Sequence, residues 1–224
     1  SIGPLLAVWA VSTWTLDGYY RIMVLGWVAT VVLYFRLHNI QARPVKNGSL
    51  QAIRPLLKRL FLPLVLITIF RNLIISGISV YLPTFMNSEG ASLMIAGSAL
   101  SIYEFAGVGG ALTSGTLSDR FGRKFILVAS AVLSTVFLLF FLNVQGWMQA
   151  VVLLFFGFVN LSSMPVMLAI VQEQVPNNRA VGNGLFMAIN FLVLLLTTLV
   201  VGDLGDAFGL RVAFYIIALA ALLS

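Results

Sequence analysis

The chain has 224 residues, of which 60% are hydrophobic and only 9% charged, and its formal net charge at pH 7 is +6. Soluble domains are about 25% charged, so this composition excludes a soluble globular enzyme, a coiled coil and a disordered segment. The apolar stretches are long and unbroken. They do not alternate over about ten residues, as the strands of an outer-membrane barrel do. The sequence therefore predicts an all-α integral membrane protein, a bundle of transmembrane helices.

Hydropathy divides the chain into eight apolar runs. The first, residues 2–16, and the last, residues 212–224, are too short to cross a bilayer, and we interpret both as truncated spans. The other six are predicted to be complete transmembrane helices: 22–37, 60–85, 92–116, 125–142, 151–171 and 181–201. The only long polar segment, residues 38–59, separates the second run from the third.

Basic residues are concentrated in every second loop. The segment 38–59 carries five lysines and arginines, the loop two spans later carries Arg120, Arg123 and Lys124, and the loop two spans further on carries Arg179. The intervening loops carry at most one arginine each. Cytoplasmic loops of membrane proteins are enriched in lysine and arginine, so this alternation places all of these loops in the cytoplasm. The positive charge is thus interpreted as an orientation signal, not as a nucleic-acid interface.

Several kinds of chemistry have no counterpart in the sequence. The chain has no cysteine, which excludes disulfides, thiolate metal sites and thiol nucleophiles. Its single histidine, His38, lies near Arg36 in a polar stretch, where a solvated loop residue is expected. No P-loop, Gly-x-Ser-x-Gly sequence or His/Glu metal pair is present. We therefore expect neither an enzyme nor a bound cofactor or metal.

A compact motif joins the run 92–116 to the run 125–142. Its glycines permit a sharp turn, its aspartate can accept hydrogen bonds from a helix N-terminus, and its arginines can pair with carboxylates or anionic lipid. An ordinary basic loop is the alternative. The motif resembles the signature Gly-x-Leu-x-Asp-Arg-x-Gly-Arg-Lys of the major facilitator superfamily. The resemblance is carried by Gly115, Leu117, Asp119, Arg120, Gly122, Arg123 and Lys124.

The resemblance implies a secondary transporter whose two six-helix halves rock about a central site, commonly coupled to protons. Residues 1–37 would end the N-terminal half, 38–59 would form the cytoplasmic central loop, and 60–224 would form the C-terminal half. The implied partners are a small-molecule substrate, the lipid bilayer and the parent chain's missing N-terminal helices, with a bacterial inner membrane as the location. The alternative is a non-transporting receptor or scaffold on the same fold.

A second resemblance is local. The stretch from Arg71 through Tyr81-Leu82-Pro83 to Phe85 is similar to bacterial drug-efflux members of the fosmidomycin-resistance type. It implies efflux of a drug-like solute. Movement of an organic anion remains an equal alternative at this point.

The hairpin motif has a second copy. Residues 115–122 and 202–209 both read Gly-x-Leu-x-Asp-x-Phe-Gly. Three spans separate them, so they fall on opposite faces of the membrane, which predicts inverted three-helix repeats. Small residues four apart, Gly107, Ala111 and Gly115, also predict a close helix approach just before the hairpin.

Polar residues near the middle of the spans are the candidate contacts for a substrate or a proton: Arg71, Asn72, Glu104, Asn160 and Asn190. A charge at this depth costs about 2.5–3.5 kcal/mol on insertion scales and marks function by default. Arg71 and Glu104 are nearly equidistant from the turn at Ser88, so we expect them to interact. A structural ion pair is the alternative for these two, and interhelical hydrogen bonding is the alternative for the asparagines.

Overall fold

The structure is a computed structural model that describes residues 3–14, 21, 23–38 and 61–223. These residues form α-helices and short 3-10 turns, without strands, which confirms the predicted all-α fold. The α-helices are α1 Gly3–Trp14, α2 Met23–Leu37, α3 Phe61–Ser88, α4 Leu93–Phe121, α5 Arg123–Asn143, α6 Trp147–Leu161, α7 Ser163–Gln174, α8 Arg179–Phe208 and α9 Leu210–Ala220. The 3-10 turns are Pro176–Asn178 and Ala221–Leu223.

Five stretches of the described chain are long and apolar enough to cross a membrane: Leu62–Ser88, Leu93–Phe121, Arg123–Asn143, Trp147–Gln174 and Arg179–Phe208. The sequence predicted six, and the run 22–37 accounts for the difference. Its helix α2 has 15 residues, which extend ~22 Å at ~1.5 Å per residue, against a hydrocarbon core of ~30 Å. The predicted central loop lies outside the described residues, except for His38.

The hydropathy boundaries were wrong at both copies of the glycine motif. Helix α4 continues to Phe121 and α8 to Phe208, so both motifs are helical up to the final glycine. Gly122 (φ 92°) and Gly209 (φ 83°) then end these helices, and α5 and α9 begin at the next residue. Positive φ is readily adopted only by glycine. The two copies therefore form the same one-residue connector, whereas the inverted repeat itself stays a prediction.

Glycine also brings α4 and α6 into main-chain contact. A Cβ atom on Gly110 would collide with the main-chain oxygen of Phe158, and one on Gly157 would collide with that of Tyr103. Gly115, by contrast, has open space around it. The close approach predicted from small residues thus occurs, but about one to three turns earlier in α4 than Gly115.

The remaining helices pack around this pair. Helix α3 packs on α8, α9 packs on α3, α5 and α8, and α1 lies against α4, where Gly97 contacts Val8. Large buried side chains fill the space between α3, α4, α5, α6 and α9: Ile78, Leu82, Phe85, Tyr103, Phe141, Leu153, Phe156 and Phe214. This packing fixes the faces of α3, α4 and α6 that carry the polar residues.

Candidate functional site

The span Trp147–Gln174 has a one-residue break at Ser162, between α6 and α7, where the backbone keeps right-handed helical angles (φ −62°, ψ −23°). Pro165 explains this break, because proline lacks an N–H and crowds the carbonyl group four residues earlier, that of Leu161. Beside the break, the main-chain oxygen of Asn160 accepts hydrogen bonds from Ser163 Oγ at 2.9 Å and from Arg71 Nη2 at 3.2 Å.

Four helices supply one buried polar cluster around Arg71. Only 4% of the Arg71 surface is exposed, Asn160 is 1% exposed, and Tyr103 is completely buried. The Asn160 Nδ2 donates to the Tyr103 hydroxyl oxygen at 2.7 Å. We call Arg71, Tyr103, Asn160 and Ser163 the Arg71 cluster. Its members come from α3, α4, α6 and α7, and the sequence had singled out only Arg71 and Asn160. A tyrosine in an apolar span needs a hydrogen-bond partner when buried, and that was the signal for Tyr103.

Asn72 and Asn190 form a separate contact between α3 and α8. Asn72 Nδ2 donates to Asn190 Oδ1 at 3.0 Å and to the main-chain oxygen of Thr68 at 2.9 Å. Asn72 is 2% exposed. The structure therefore joins these two predicted residues to each other, with the geometry of an interhelical hydrogen bond.

The expected ion pair between Arg71 and Glu104 is not formed. No carboxylate of the described chain lies within 4.0 Å of the Arg71 guanidinium, and Glu104 is half-buried without an ion pair. Successive residues of a helix differ by about 100° in direction. It is Tyr103, one residue earlier, that points to the Arg71 cluster. Glu104 lies instead seven residues after Gly97, on the face of α4 that packs against α1.

The hairpin is tied to the end of α7 by one arginine. Arg123 Nη2 lies 2.7 Å from Glu173 Oε1 and 3.4 Å from Asp119 Oδ1. We call this contact the hairpin ion pair. Leu117, Arg120 and Lys124 are exposed, and Gly115 makes no close contact. Glu173 was missed because nothing in the sequence around it marks it as a partner of Arg123.

A matching contact lies at the other end of α5. Arg211, two residues after the Gly209 connector, places Nη1 3.0 Å from Glu89 Oε2 and donates through Nη2 to the main-chain oxygen of Leu142 at 2.8 Å. We call it the opposite-end ion pair. Each glycine connector is thus followed by an arginine that binds a carboxylate at the end of another helix.

A cavity of about 630 Å³ opens near the opposite-end ion pair, between the ends of α3, α4 and α6. Met86, Glu89, Met94, Ile102 and Leu153 are among its lining residues. It contains no member of the Arg71 cluster. The rings of Tyr103 and Phe156, whose centroids are 5.4 Å apart, come one and three residues after the cavity-lining residues Ile102 and Leu153.

Comparison with known proteins agrees with the hairpin and the helices. The model of the Major Facilitator Superfamily matches residues 1–196 and 90–224. The chain is 27% identical over 232 residues to the fosmidomycin resistance protein of Escherichia coli (strain K12), covering 100% of this chain and 57% of that protein. It is 31% identical over 134 residues to the uncharacterized MFS-type transporter YfnC of Bacillus subtilis (strain 168), covering 59% and 32%.

The chain thus spans 57% or less of the length of these curated relatives. The family match extends over both the glycine connectors and the apolar helices, and it confirms the resemblance that the hairpin motif carries. Together with the five long apolar helices, it identifies a multi-pass integral membrane protein. The chain belongs to the Major Facilitator Superfamily.

Proposed function

We propose that the chain is part of a secondary active transporter that exports a small solute across the bacterial inner membrane by alternating access, coupled to protons. The observation that carries this proposal is the Arg71 cluster. Buried polar side chains from α3, α4, α6 and α7 meet near the middle of the membrane-spanning helices, at the depth where transporters place their solute sites. Buried ionisable groups in spans are costly and mark function.

The roles proposed for the individual residues follow from their surroundings. Arg71 and Asn160 contact the solute from within the cluster, and Asn72 and Asn190 extend that surface toward α8. Glu104 carries the proton. Its carboxylate is half-buried, has no ion pair in the described chain, and is the one carboxylate near the middle of a described span.

The division of the chain belongs to the same proposal. Residues 1–37 end the N-terminal half, 38–59 form the central loop, and 60–224 form the C-terminal half. The contact of α1 with α4 is then a contact between halves, and Glu104 lies on the contacting face of α4. The hairpin ion pair stabilises one closed arrangement at the cytoplasmic face, since Arg123 joins the hairpin to the end of α7.

Drug tolerance of a bacterial strain that lacks its own exporters tests the proposal. Fosmidomycin is the first solute because one relative is named for resistance to it, and a panel of other toxic compounds follows. We expect expression of the full-length parent transporter that contains this chain to raise the tolerated concentration of at least one compound several-fold. Glu104→Gln is expected to remove this tolerance while the protein remains in the membrane.

Glu89→Gln is the matched control, because it removes a carboxylate directly after the C-terminal end of α3, 18 residues after Arg71. We expect this variant to retain tolerance. If membrane-inserted protein changes the tolerance of no compound, transport is contradicted and a receptor or scaffold is favoured. If Glu104→Gln keeps full tolerance, transport stands but the proton role of Glu104 does not.

A further inference from the structure

The Arg71 cluster contains more hydrogen-bond donors than acceptors. Among the described residues, Arg71 makes one hydrogen bond, through Nη2 to the main-chain oxygen of Asn160, and its buried Nε has no partner. The Tyr103 hydroxyl accepts a hydrogen bond from Asn160 Nδ2, and its own proton has no acceptor among the described residues. The Asn160 main-chain oxygen already accepts two bonds.

The cluster also carries an uncompensated positive charge. Arginine remains protonated in proteins, and the carboxylates that form ion pairs in the described chain all belong to the hairpin and opposite-end pairs. An unpaired buried charge is strongly unfavourable. A bound anion would neutralise the positive charge of the guanidinium. Its oxygens would also accept hydrogen bonds from Arg71 Nε and from the Tyr103 hydroxyl.

We propose that Arg71 and Tyr103 form a binding site for an oxyanion of the transported solute, that is, a carboxylate, phosphonate or phosphate group. The planar guanidinium binds two oxygens of such a group with good geometry, and the Tyr103 hydroxyl donates a further directional hydrogen bond. This inference rests on the proposed transport function and adds the chemical class of the solute. It also assigns a role to Tyr103.

The packing around Tyr103 holds it for this role. Its main chain touches Gly157, where no side chain fits, and its ring lies against Phe156. These two contacts restrict the Tyr103 side chain, so its hydroxyl stays directed toward α6. Arg71 is the eleventh residue of α3, which places it ~15 Å from the N-terminal end of this helix at ~1.5 Å per residue. That depth separates it from lipid headgroups and favours a water-soluble anion as the ligand.

Thermal unfolding of the purified protein in a neutral detergent tests the site. The probes are benzoate, phenylphosphonate and inorganic phosphate, compared with neutral benzyl alcohol and cationic benzylamine at constant ionic strength. Phosphatidylglycerol tests a lipid headgroup as the source of the anion. We expect at least one water-soluble anion to raise Tm saturably, and the alcohol and the amine to leave it unchanged.

Variants then locate the effect. Arg71→Gln is expected to abolish the anion-dependent rise in Tm. Tyr103→Phe is expected to lower the affinity for the anion about ten-fold, which corresponds to ~1.4 kcal/mol. Tyr215→Phe is the matched control, since that hydroxyl bonds Asn143 at the end of α5, and it leaves anion affinity unchanged. If Arg71→Gln does not fold, Arg71→Lys replaces it, with weakened binding expected because the charge stays but the planar fork is lost.

Three outcomes overturn the inference. These are stabilisation by the alcohol or amine equal to that by the anions, full anion affinity in the variants of Arg71, and stabilisation by phosphatidylglycerol alone. The outcome is separable from the proposed function. Anion binding without any transport refutes the function but not the site, whereas normal transport of an uncharged solute by Arg71→Gln refutes the site but not the function.

Discussion

Arg71 differs from Arg123 and Arg211 in its exposure to solvent and in its distance from carboxylates. The side chains of Arg123 and Arg211 are 24% and 46% exposed, and each has a carboxylate within 3.0 Å. Arg71 is 4% exposed, and no carboxylate of the described residues lies within 4.0 Å of it. Water screens the two helix-end pairs, so each contributes little to stability. The buried charge opposes folding, and its presence is better explained by a ligand than by packing.

The largest effect is expected where the buried region depends on main-chain contact. Gly157→Ala places a Cβ atom against the main-chain oxygen of Tyr103, so α4 and α6 must separate. We expect a loss of about 3 kcal/mol, the upper part of the range for overpacking, measured as a lower Tm in detergent. Gly184→Ala is the control, because that exposed glycine has open space around it. Equal Tm values for the two variants would show that the α4–α6 contact is looser than described.

An aspartate at position 160 sharpens the comparison, because it adds a carboxylate to the Arg71 cluster at the side chain that contacts the Tyr103 hydroxyl. Asn160→Asp is expected to raise stability by about 1.5 kcal/mol, as for a hydrogen bond between charged groups, and to abolish solute binding. Asn190→Asp is the control. Its side chain faces Asn72 and not a cation, so it should lower Tm. Destabilisation of the same size in both variants would contradict an uncompensated charge at Arg71.

The smallest effects are expected at the helix-end pairs. Double-mutant cycles with Gln at Arg123 and Glu173, and at Arg211 and Glu89, should give coupling energies of about 0.2–1 kcal/mol. Both should fall as salt is raised, since exposed charges are screened. The cycles are measured by chemical unfolding in detergent. A coupling well above this range, insensitive to salt, would make these pairs comparable to a buried interaction.

Sequence reasoning located the spans and the depth of the polar residues, because bilayer thickness imposes a fixed length on apolar helices. It also identified both glycine connectors, since positive φ restricts the residue that can end those helices. It placed their boundaries too early because hydropathy marks where a helix leaves the apolar layer, not where it ends. Charged residues at positions 119 and 120 continue the helix in the polar region.

The direction in which each side chain points around its helix could not be predicted from the sequence. Arg71 and Glu104 were assigned to one depth, but contact also requires the right direction, and one residue along α4 changes that by about 100°. The main-chain contact at Gly157 sets this direction for Tyr103. It depends on how α4 and α6 pack, which a single sequence with many similar small residues does not specify.

Arg71→Gln tests the central claim most directly, when stability and transport are measured on the same preparation. The glutamine amide is polar but neutral, so the substitution removes the unpaired charge and leaves a hydrogen-bonding group on α3. If Arg71 is retained for a ligand and not for packing, Tm stays equal or rises and solute transport is lost. A Tm lowered as much as by Gly157→Ala, with normal transport by the protein that remains folded, would contradict the account.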